Sequence, residues 1–411
     1  MLSAVLVGRL VAVLTAQSIS SADQDPERAV SEVLSQLEPF FEARPGGAVV
    51  LFATSAYTTV LEKLSREISQ RGKTRSVLAC TAANVVSGAA DPAPTAGISG
   101  LCLAGELETE PFMIPRLRGR SLEIGREIGR RAAIAGDDST TVLLFADSYN
   151  LAPDELLIGF QDTAGEIPII GAGASEDGAS GRTEVMASDC VNEDAVAGLV
   201  VRGMSVATLR TPVFTPVEPW WRVTRAEANR VYELDDAPAL ATLMKALPPS
   251  LQDDPSATLS FLQLALADDR ESGDPLLRPV IGSSEPDQCL DVGDAVVEGT
   301  RLAVAVQDPA AARTRFTAEL GRLGGEESPA GLLYFHSALR GEPLYGHPGL
   351  DVAYLRQNFA DVGVAGFASY LTLSPLCGRN RFHQFSGLVV GLAPAAPISD
   401  EHREGRRAES S

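Results

Sequence analysis

Histidine, cysteine and arginine residues lie close together near the C-terminal end of the sequence. Histidine beside cysteine can ligate a metal or haem iron, or can form a nucleophile–base pair. Arginine can hold a carboxylate through two parallel hydrogen bonds. The spacing requires none of this chemistry, and structural histidines and salt bridges are equally consistent with it. We take four of these residues as candidate ligand-binding residues: His336, Arg340, Arg379 and His383.

Three serines follow apolar runs in a repeated pattern. Ser55, Ser148 and Ser337 each stand three residues after an aromatic residue. None lies in a G-x-S-x-G turn, so we expect no serine nucleophile and no catalytic residue here. Three equivalent hydroxyls are more simply explained as groups that satisfy backbone hydrogen bonds at strand ends. Together with Asp147 and His336, which hold the last strand position of their repeats, they predict polar strand ends that bind a small ligand.

Each serine belongs to a longer repeated unit, and internal repeats bear directly on the fold. An apolar strand precedes a helical pattern, and two further apolar runs follow. The pattern aligns the aromatic residues Phe52, Phe145 and Tyr334 with one another. The three runs of each unit are 50–55, 77–80 and 98–104, then 143–148, 169–172 and 195–201, and finally 332–337, 364–367 and 387–392.

These units predict an α/β (α+β) fold of duplicated strand–helix–strand–strand units. We expect two layered α/β modules with mixed sheets, over 10–240 and 241–395, followed by a disordered polar tail over 396–411. Because equivalent strand ends usually converge on one cleft, and clefts at strand ends bind ligands, we expect the candidate residues to meet.

Composition and charge limit the classes of function. The chain has 411 residues, of which 45% are hydrophobic and 21% charged, as in a globular protein of two or three domains. Its formal net charge of −20 argues against general nucleic-acid binding, which needs a Lys/Arg-rich surface. It also argues against docking to anionic membranes. We therefore predict neither nucleic acid nor membrane as a partner.

The cysteines and the N-terminal segment indicate a compartment. Five cysteines lie at irregular spacings without a zinc-ligand pattern, which predicts reduced thiols, no metal site and a cytoplasmic location. The apolar run 2–14 is interrupted by Arg9 and is too short to span a bilayer. A weak signal peptide is one interpretation of this run, and a first β-strand at Leu10–Leu14 is the one we favour.

The stretch Trp221–Leu240 carries a specific resemblance. Its residues 223–240 read VTRAEANRVYELDDAPAL, which is similar to the end of the N-terminal module of FIST domain proteins. Residues 331–392 resemble the C-terminal FIST module, whose apolar strand ends in a "SCNGRG"-like sequence. The resemblance covers nearly the whole chain, from about residue 10 to 393.

The resemblance implies a two-module sensory protein that binds a small, amino-acid-like ligand and signals through a separate protein. Some FIST-type proteins bind haem and sense nitric oxide, which here would need His383 or His336. This sequence departs from the family's motifs: Ala338 replaces the family's cysteine, and 79–86 lacks the usual Gly-Glu pair. If those positions bind ligand in the family, the departures imply that ligand specificity is altered here or that ligand binding is lost.

We therefore predict an intracellular small-ligand-binding sensory protein in signal transduction, without catalysis, whose cofactor is unknown. Three alternatives stay open at this point. The first is a haem-binding nitric-oxide sensor, and the second is a hydrolase that uses Ser337 or Cys377 with a neighbouring histidine. The third is a protein-interaction scaffold, which predicts an exposed apolar patch near Trp220 and Trp221.

Overall fold

The computed structural model describes residues 13–44, 46–87, 96–135, 139–268, 274–324 and 328–395. The helices are α1 (Pro26–Ala43), α2 (Thr58–Gly72), α3 (Ser121–Ala135), α4 (Pro153–Ala164), α5 (Ala239–Ala246), α6 (Pro255–Phe261), α7 (Pro309–Leu323), α8 (Glu342–Tyr345) and α9 (Leu350–Asn358). Short 3-10 turns lie at Ser55–Tyr57 and Pro249–Leu251.

The strands up to the middle of the chain are β1 (Leu14–Ser21), β2 (Ala48–Thr54), β3 (Ser76–Ala82), β4 (Val85–Ser87), β5 (Ile98–Gly105), β6 (Glu108–Pro115), β7 (Thr141–Asp147), β8 (Ile169–Ala174), β9 (Val185–Ala187), β10 (Cys190–Asn192), β11 (Ala195–Arg202) and β12 (Met204–Pro212). The later strands are β13 (Phe214–Glu227), β14 (Arg230–Leu234), β15 (Ala237–Pro238), β16 (Gln263–Ala267), β17 (Leu276–Ser284), β18 (Cys289–Val292), β19 (Arg301–Gln307), β20 (Gly331–His336), β21 (Gly363–Ala368), β22 (Leu371–Leu376), β23 (Arg379–Gln384) and β24 (Ser386–Pro394).

Three mixed sheets of equivalent topology form the centre of the molecule and confirm the predicted fold class. The first sheet has the order β1-β5-β2-β3-β9-β10, the second β6-β11-β7-β8-β22-β23, and the third β12-β24-β20-β21-β4. In each sheet one parallel pair, β2–β3, β7–β8 or β20–β21, lies beside an antiparallel strand, β5, β11 or β24. These nine strands are the three apolar runs of each predicted unit.

The three sheets turn one face inward to a shared apolar core. Successive strand residues point to opposite faces, so Val50 and Phe52 face this core while Val49 and Leu51 face α1 and α2. The outer faces of the other two sheets are covered by α3 and α4 and by α7 and α9. Asp25 caps α1 by accepting a hydrogen bond from the Glu27 backbone N–H.

Three phenylalanines mark the centre where the sheets meet. The ring centroids of Phe52, Phe145 and Phe335 lie 5.4, 5.8 and 5.9 Å apart, a nearly equilateral triangle, and Phe367 contacts all three. The predicted alignment of Tyr334 with the other two aromatic residues is therefore wrong by one position. Tyr334 faces outward, against the helices of the third sheet.

The three repeats exchange strands in a ring. The strand that follows the second parallel strand of each repeat pairs with the sheet of another repeat: β4 with β21, β9 with β3, and β22 with β8. Each repeat therefore completes the edge of a different one. Parallel pairs leave polar backbone groups at their outer edge, and this exchange satisfies them.

An inserted barrel lies between β12 and α7 in the third repeat. Strand β13 pairs with both β19 and β14, so that β13, β19, β16, β17, β18 and β14 close on themselves. Within this barrel, the end of β13 and β14 form a hairpin in which Val223 pairs with Leu234 and Glu227 with Arg230. The predicted module boundary at residue 240 lies inside this insertion and stays a prediction.

Both predictions for the chain termini fall mostly or wholly outside the described residues. The strand predicted at Leu10–Leu14 falls mostly outside the described residues, and the strand that is described begins at Leu14 and runs to Ser21. The predicted disordered tail over 396–411 lies outside the described residues. Within the described ranges, no helix combines the length and the apolar character needed to cross a membrane.

Candidate functional site

Arg340 lies in a buried polar cluster behind the third sheet. Its Nε and Nη2 donate to the two Asp351 carboxylate oxygens, each over 2.8 Å, and its Nη1 donates to the Thr211 carbonyl and hydroxyl oxygens. The Tyr334 and Tyr345 hydroxyls accept further hydrogen bonds. Arg340 is 2% exposed. A ligand carboxylate could reach this guanidinium only by displacing Asp351.

Two of the three predicted serines, Ser148 and Ser337, form side-chain hydrogen bonds with backbone groups, and within the described part of the chain Ser55 does not. The Ser148 hydroxyl donates to the Ala174 carbonyl over 2.6 Å. The Ser337 hydroxyl accepts from the Leu339 backbone N–H over 3.2 Å. The Ser55 hydroxyl is buried and has no hydrogen-bond partner among the described residues. These contacts agree with serines that terminate strands rather than serines activated by a base.

Asp147 belongs to a polar network at the end of β7. It is buried and accepts hydrogen bonds from the Thr183 hydroxyl and the Tyr149 backbone N–H. Beside it, buried Glu176 accepts from the Tyr149 hydroxyl over 2.8 Å and from the Gly178 and Ser180 backbone N–H groups. These hydrogen bonds, led by that of Tyr149, lower the pKa of Glu176 to about 2. Sequence reasoning missed Glu176, although it stands two residues after the end of β8.

The ends of the second parallel strands are held together by hydrogen bonds between repeats. The Ser175 hydroxyl donates to the Ala368 carbonyl and accepts from the Ala83 backbone N–H. The Ser369 hydroxyl donates to the Gly173 carbonyl over 2.7 Å. These hydrogen bonds link the strand ends of the three repeats to one another. The common ligand cleft expected at these strand ends stays a prediction.

The two candidate histidines lie in different surroundings. His383 is 2% exposed, and burial, with the charges of Arg210 and Arg278 added to it, lowers its pKa well below the ordinary value. His336 is half-buried and stacks on Tyr334, with ring centroids 5.3 Å apart, and burial lowers its pKa. A haem iron could reach neither ring without displacing its packing partners. These histidines do not fit a haem site.

The two tryptophans bear on the scaffold alternative. Trp221 is 7% exposed and belongs to the core of the inserted barrel. Trp220 is half-buried, and the Arg301 guanidinium lies 5.0 Å from its ring centroid. The two tryptophan rings themselves therefore do not form an exposed apolar patch, and the scaffold alternative stays a prediction.

One cavity brings a predicted site residue together with charges of both signs. It has a volume of about 310 Å³ and lies between the inserted barrel and the hairpin β22–β23. The hairpin contributes Cys377, Arg379 and Arg381, and the barrel contributes Asp268, Asp274 and Asp294, with apolar residues between them. Arg379 and Cys377 are exposed at its mouth.

Ion pairs fix the wall of this cavity. The Arg278 guanidinium donates to Asp294 over 2.7 Å and to the Phe382 carbonyl over 3.3 Å, and it lies 3.7 Å from the centroid of the Phe382 ring. Asp274 pairs with Arg210 and Arg315. Arg278 is 1% exposed. Sequence reasoning missed it, although an arginine inside an otherwise apolar strand is a signal that it must have a buried acidic partner.

Of the eight predicted site residues, the cavity includes Arg379. Arg340 and the strand-end residues Ser55, Asp147, Ser148, His336 and Ser337 are distributed over three repeats, and each has the local surroundings described above. His383 follows Phe382, whose ring packs on Arg278 behind the cavity wall. Their assignment to one ligand site stays a prediction.

Two models of known protein families match this chain. Residues 47–237 match the family model of the FIST N domain, and residues 239–370 match that of the FIST C domain. The chain belongs to the FIST family. FIST domains are associated with signal transduction and small-ligand sensing.

Two mycobacterial proteins align with this chain over most of their length. An uncharacterized protein of Mycobacterium bovis is 24% identical over 380 residues, which cover 89% of this chain and 95% of the relative. An uncharacterized protein of Mycobacterium tuberculosis is 22% identical over 382 residues, 90% of this chain and 97% of the relative.

Among solved structures, a cyanuric acid hydrolase from A. caulinodans aligns over 94% of this FIST chain and 100% of its own, with 8% identity and a TM-score of 0.38. That TM-score is too low to establish a shared fold.

Proposed function

We propose that this FIST protein is a non-catalytic sensory protein that binds a small zwitterion of the amino-acid type in the cavity between the inserted barrel and the hairpin β22–β23. The observation that carries the proposal is the presence of both charge signs in one cavity of about 310 Å³. This volume lies at the lower end of the range of small-molecule sites. A small ligand with one carboxylate and one ammonium group matches such a lining.

Each charge of the ligand has a counterpart. Arg379, exposed at the mouth, is suited to hold a carboxylate through paired hydrogen bonds, with Arg381 beside it. Asp268 and Asp294 offer carboxylate oxygens to an ammonium group. The apolar residues between them, among them Leu266 and Leu376, leave room for a short side chain. Because Asp294 is already held by Arg278, its position is fixed before the ligand arrives.

The position of the cavity supports a sensory role. A ligand there contacts the barrel on one side and the hairpin on the other, so it stabilises the arrangement in which both walls are in place. The hairpin also forms the edge of the second sheet through β22 and β8. Ligand binding would change the position of this sheet edge, and a separate signalling protein that contacts the edge would pass the signal on. Five free cysteines support a cytoplasmic setting for this role.

Thermal unfolding with added ligands tests the proposal. The twenty amino acids are compared with acetate and methylamine, which carry one charge each. We expect at least one amino acid to stabilise the protein, by about 2.7 kcal/mol at a hundredfold excess over its Kd. Neither single-charge compound should do so. Stabilisation by acetate alone would point to a simple anion site and reject the zwitterion.

A variant pair locates the binding. Arg379→Ser removes the exposed cavity guanidinium and should abolish the stabilisation. Arg313→Ser removes an exposed guanidinium of α7 that is not part of the cavity lining, and should leave it unchanged. Equal stabilisation of both variants would place the ligand elsewhere.

A further inference from the structure

A second cavity, between the first repeat and the exchanged hairpin β9–β10, is lined with cationic and neutral donor groups. It has a volume of about 570 Å³ and lies where α2 ends, where β3 begins and where β9 turns into β10. Its side chains are Arg66, Ser69, Gln70, Lys73, Thr74, Arg75, Ser188 and Asp189. Three cations therefore face one carboxylate. Neither the FIST resemblance nor the first cavity accounts for this lining.

The excess of positive charge is unusual in this molecule. The chain has 54 acidic and 34 basic residues, so a cavity lined by three cations and one carboxylate departs from the overall charge balance. Arg66 pairs with Glu62 one helical turn away. Among the described residues, however, neither the Lys73 ammonium nor the Arg75 guanidinium has an ion-pair or hydrogen-bond partner. Two cations left without counter-charges at one cavity, in a protein of net charge −20, indicate a site for an anion.

The backbone around the cations is fixed from both sides. Thr74 donates its hydroxyl to the Gly47 carbonyl, and Ser188 donates its hydroxyl to the Arg75 carbonyl over 2.7 Å. The Ser65 hydroxyl donates to the Ser188 carbonyl, and the Ser188 backbone N–H donates to the Val77 carbonyl over 2.7 Å. The β9–β10 turn is thereby tied to the strand that carries Arg75. The backbone that carries Lys73 and Arg75 is therefore fixed without a ligand, which lowers the cost of binding.

We infer that this cavity binds the phosphate group of a small phosphorylated compound. Arg75 and Arg66 match phosphate oxygens through their planar N–H pairs, and Lys73 adds a point charge. The Ser69 hydroxyl and the Gln70 amide add neutral donors at the end of α2. The cavity is much larger than a phosphate ion, and the remaining space accommodates the organic part of the molecule. This site shares no lining residue with the amino-acid cavity and does not depend on it.

Calorimetric titration with inorganic phosphate tests the site on the full chain, at pH 7.5 and constant ionic strength set with sodium chloride. We expect saturable binding by the wild-type protein. Lys73→Asn combined with Arg75→Gln should weaken it at least tenfold. Lys73 lies at φ 52°, a conformation that asparagine also tolerates, so this variant keeps the local fold. The matched control is Lys245→Asn with Arg313→Gln, which removes the same charges outside the cavity and should bind normally.

Two further measurements separate the possible results. Phosphate should protect Lys73, but not Lys245, from acylation by acetic anhydride, as read by mass spectrometry. Malonate, a dianion of different geometry, should bind more weakly than phosphate. Equal binding of malonate would overturn the assignment to phosphate. The absence of saturable heat, or equal binding by the two double variants, would overturn the site itself.

Discussion

Arg340 and Asp351 form a buried ion pair in the third repeat. Both side chains are almost completely buried, and each satisfies the charge of the other. Arg340→Met leaves the Asp351 carboxylate buried without a counter-charge, which should cost about 3–5 kcal/mol of unfolding free energy. Urea denaturation measures this loss. The double variant Arg340→Met with Asp351→Leu should recover most of it, and a double variant as unstable as the single one would reject the explanation.

The Arg340–Asp351 pair also makes the stability of the protein depend on pH. Burial raises the pKa of Asp351, but the Arg340 guanidinium outweighs burial and holds the pKa below its ordinary value. A carboxyl with a lowered folded-state pKa stabilises the protein above its unfolded-state pKa of about 3.9, and this contribution is lost as the pH falls. The difference in stability between wild type and Arg340→Met should therefore be largest above pH 4 and shrink in acid.

At the residue scale, the sequence predicted which polar residues matter better than it predicted what they contact. Arg340 and Asp147 were recognised as unusual, and both have well-defined buried partners. Their partners Asp351 and Thr183 lie on segments whose position depends on the tertiary fold. A pattern along the chain cannot place such groups, because contact between them is made only when the repeats assemble.

Among single elements, two strands contain a glycine at the point where the neighbouring parallel strand approaches closely. Gly171 in β8 and Gly366 in β21 hold equivalent positions, and a Cβ built on either would lie within 2 Å of the carbonyl oxygen of the neighbouring strand, 1.9 Å from Leu144 and 1.8 Å from Tyr334. Backbone atoms cannot move aside as a flexible side chain can. Gly366→Ala should therefore destabilise the protein by about 1–3 kcal/mol or more, as overpacking of a tight core does.

A third glycine provides the control for this prediction. Gly321 lies inside α7, and a Cβ there would meet nothing within 4 Å. Because alanine favours a helix by up to about 1 kcal/mol over glycine, Gly321→Ala should raise the melting temperature. Thermal unfolding of the three proteins checks both signs. If Gly366→Ala melted with the wild type, the close approach of β20 and β21 would not be real.

The strands were predictable because their apolar runs are long and repeated, and all nine central strands were anticipated. The register of the third repeat was not, because β20 carries two adjacent aromatic residues, Tyr334 and Phe335. The nearest match in sequence is Tyr334, yet alternation along the strand points Phe335 inward. Only contact with Phe52 and Phe145 selects between the two.

At the scale of the whole molecule, the cavities could not be predicted from the sequence. The walls of the zwitterion cavity come from the inserted barrel and from a hairpin roughly a hundred residues later, at Leu266 and Arg379. The barrel interrupts the third repeat, so the sequence suggests a boundary where the structure has an insertion. The repeats predict a common cleft at their strand ends, where hydrogen bonds such as those of Ser369 and Ser175 link one repeat to another.

The strand exchange predicts that the two modules do not fold alone. In a fragment of residues 1–240, β8 lacks β22, β12 lacks β24, and β13 lacks β19. The inner core also loses Phe335 and Phe367, which close the aromatic cluster at its centre. Unpaired edges and an exposed apolar face favour aggregation over a stable monomer. We expect residues 1–240 and 241–411, expressed separately, to show no cooperative thermal transition.

Mixing or co-expression should restore the fold, because each fragment supplies the strands that the other lacks. The restored complex should melt in one transition like the intact chain, as expected when one core joins all three repeats. Calorimetry of each fragment and of the complex measures this. A fragment 1–240 that melts cooperatively on its own, at the temperature of the whole protein, would show that the first two repeats form an independent domain and that the exchanged strands contribute little to stability.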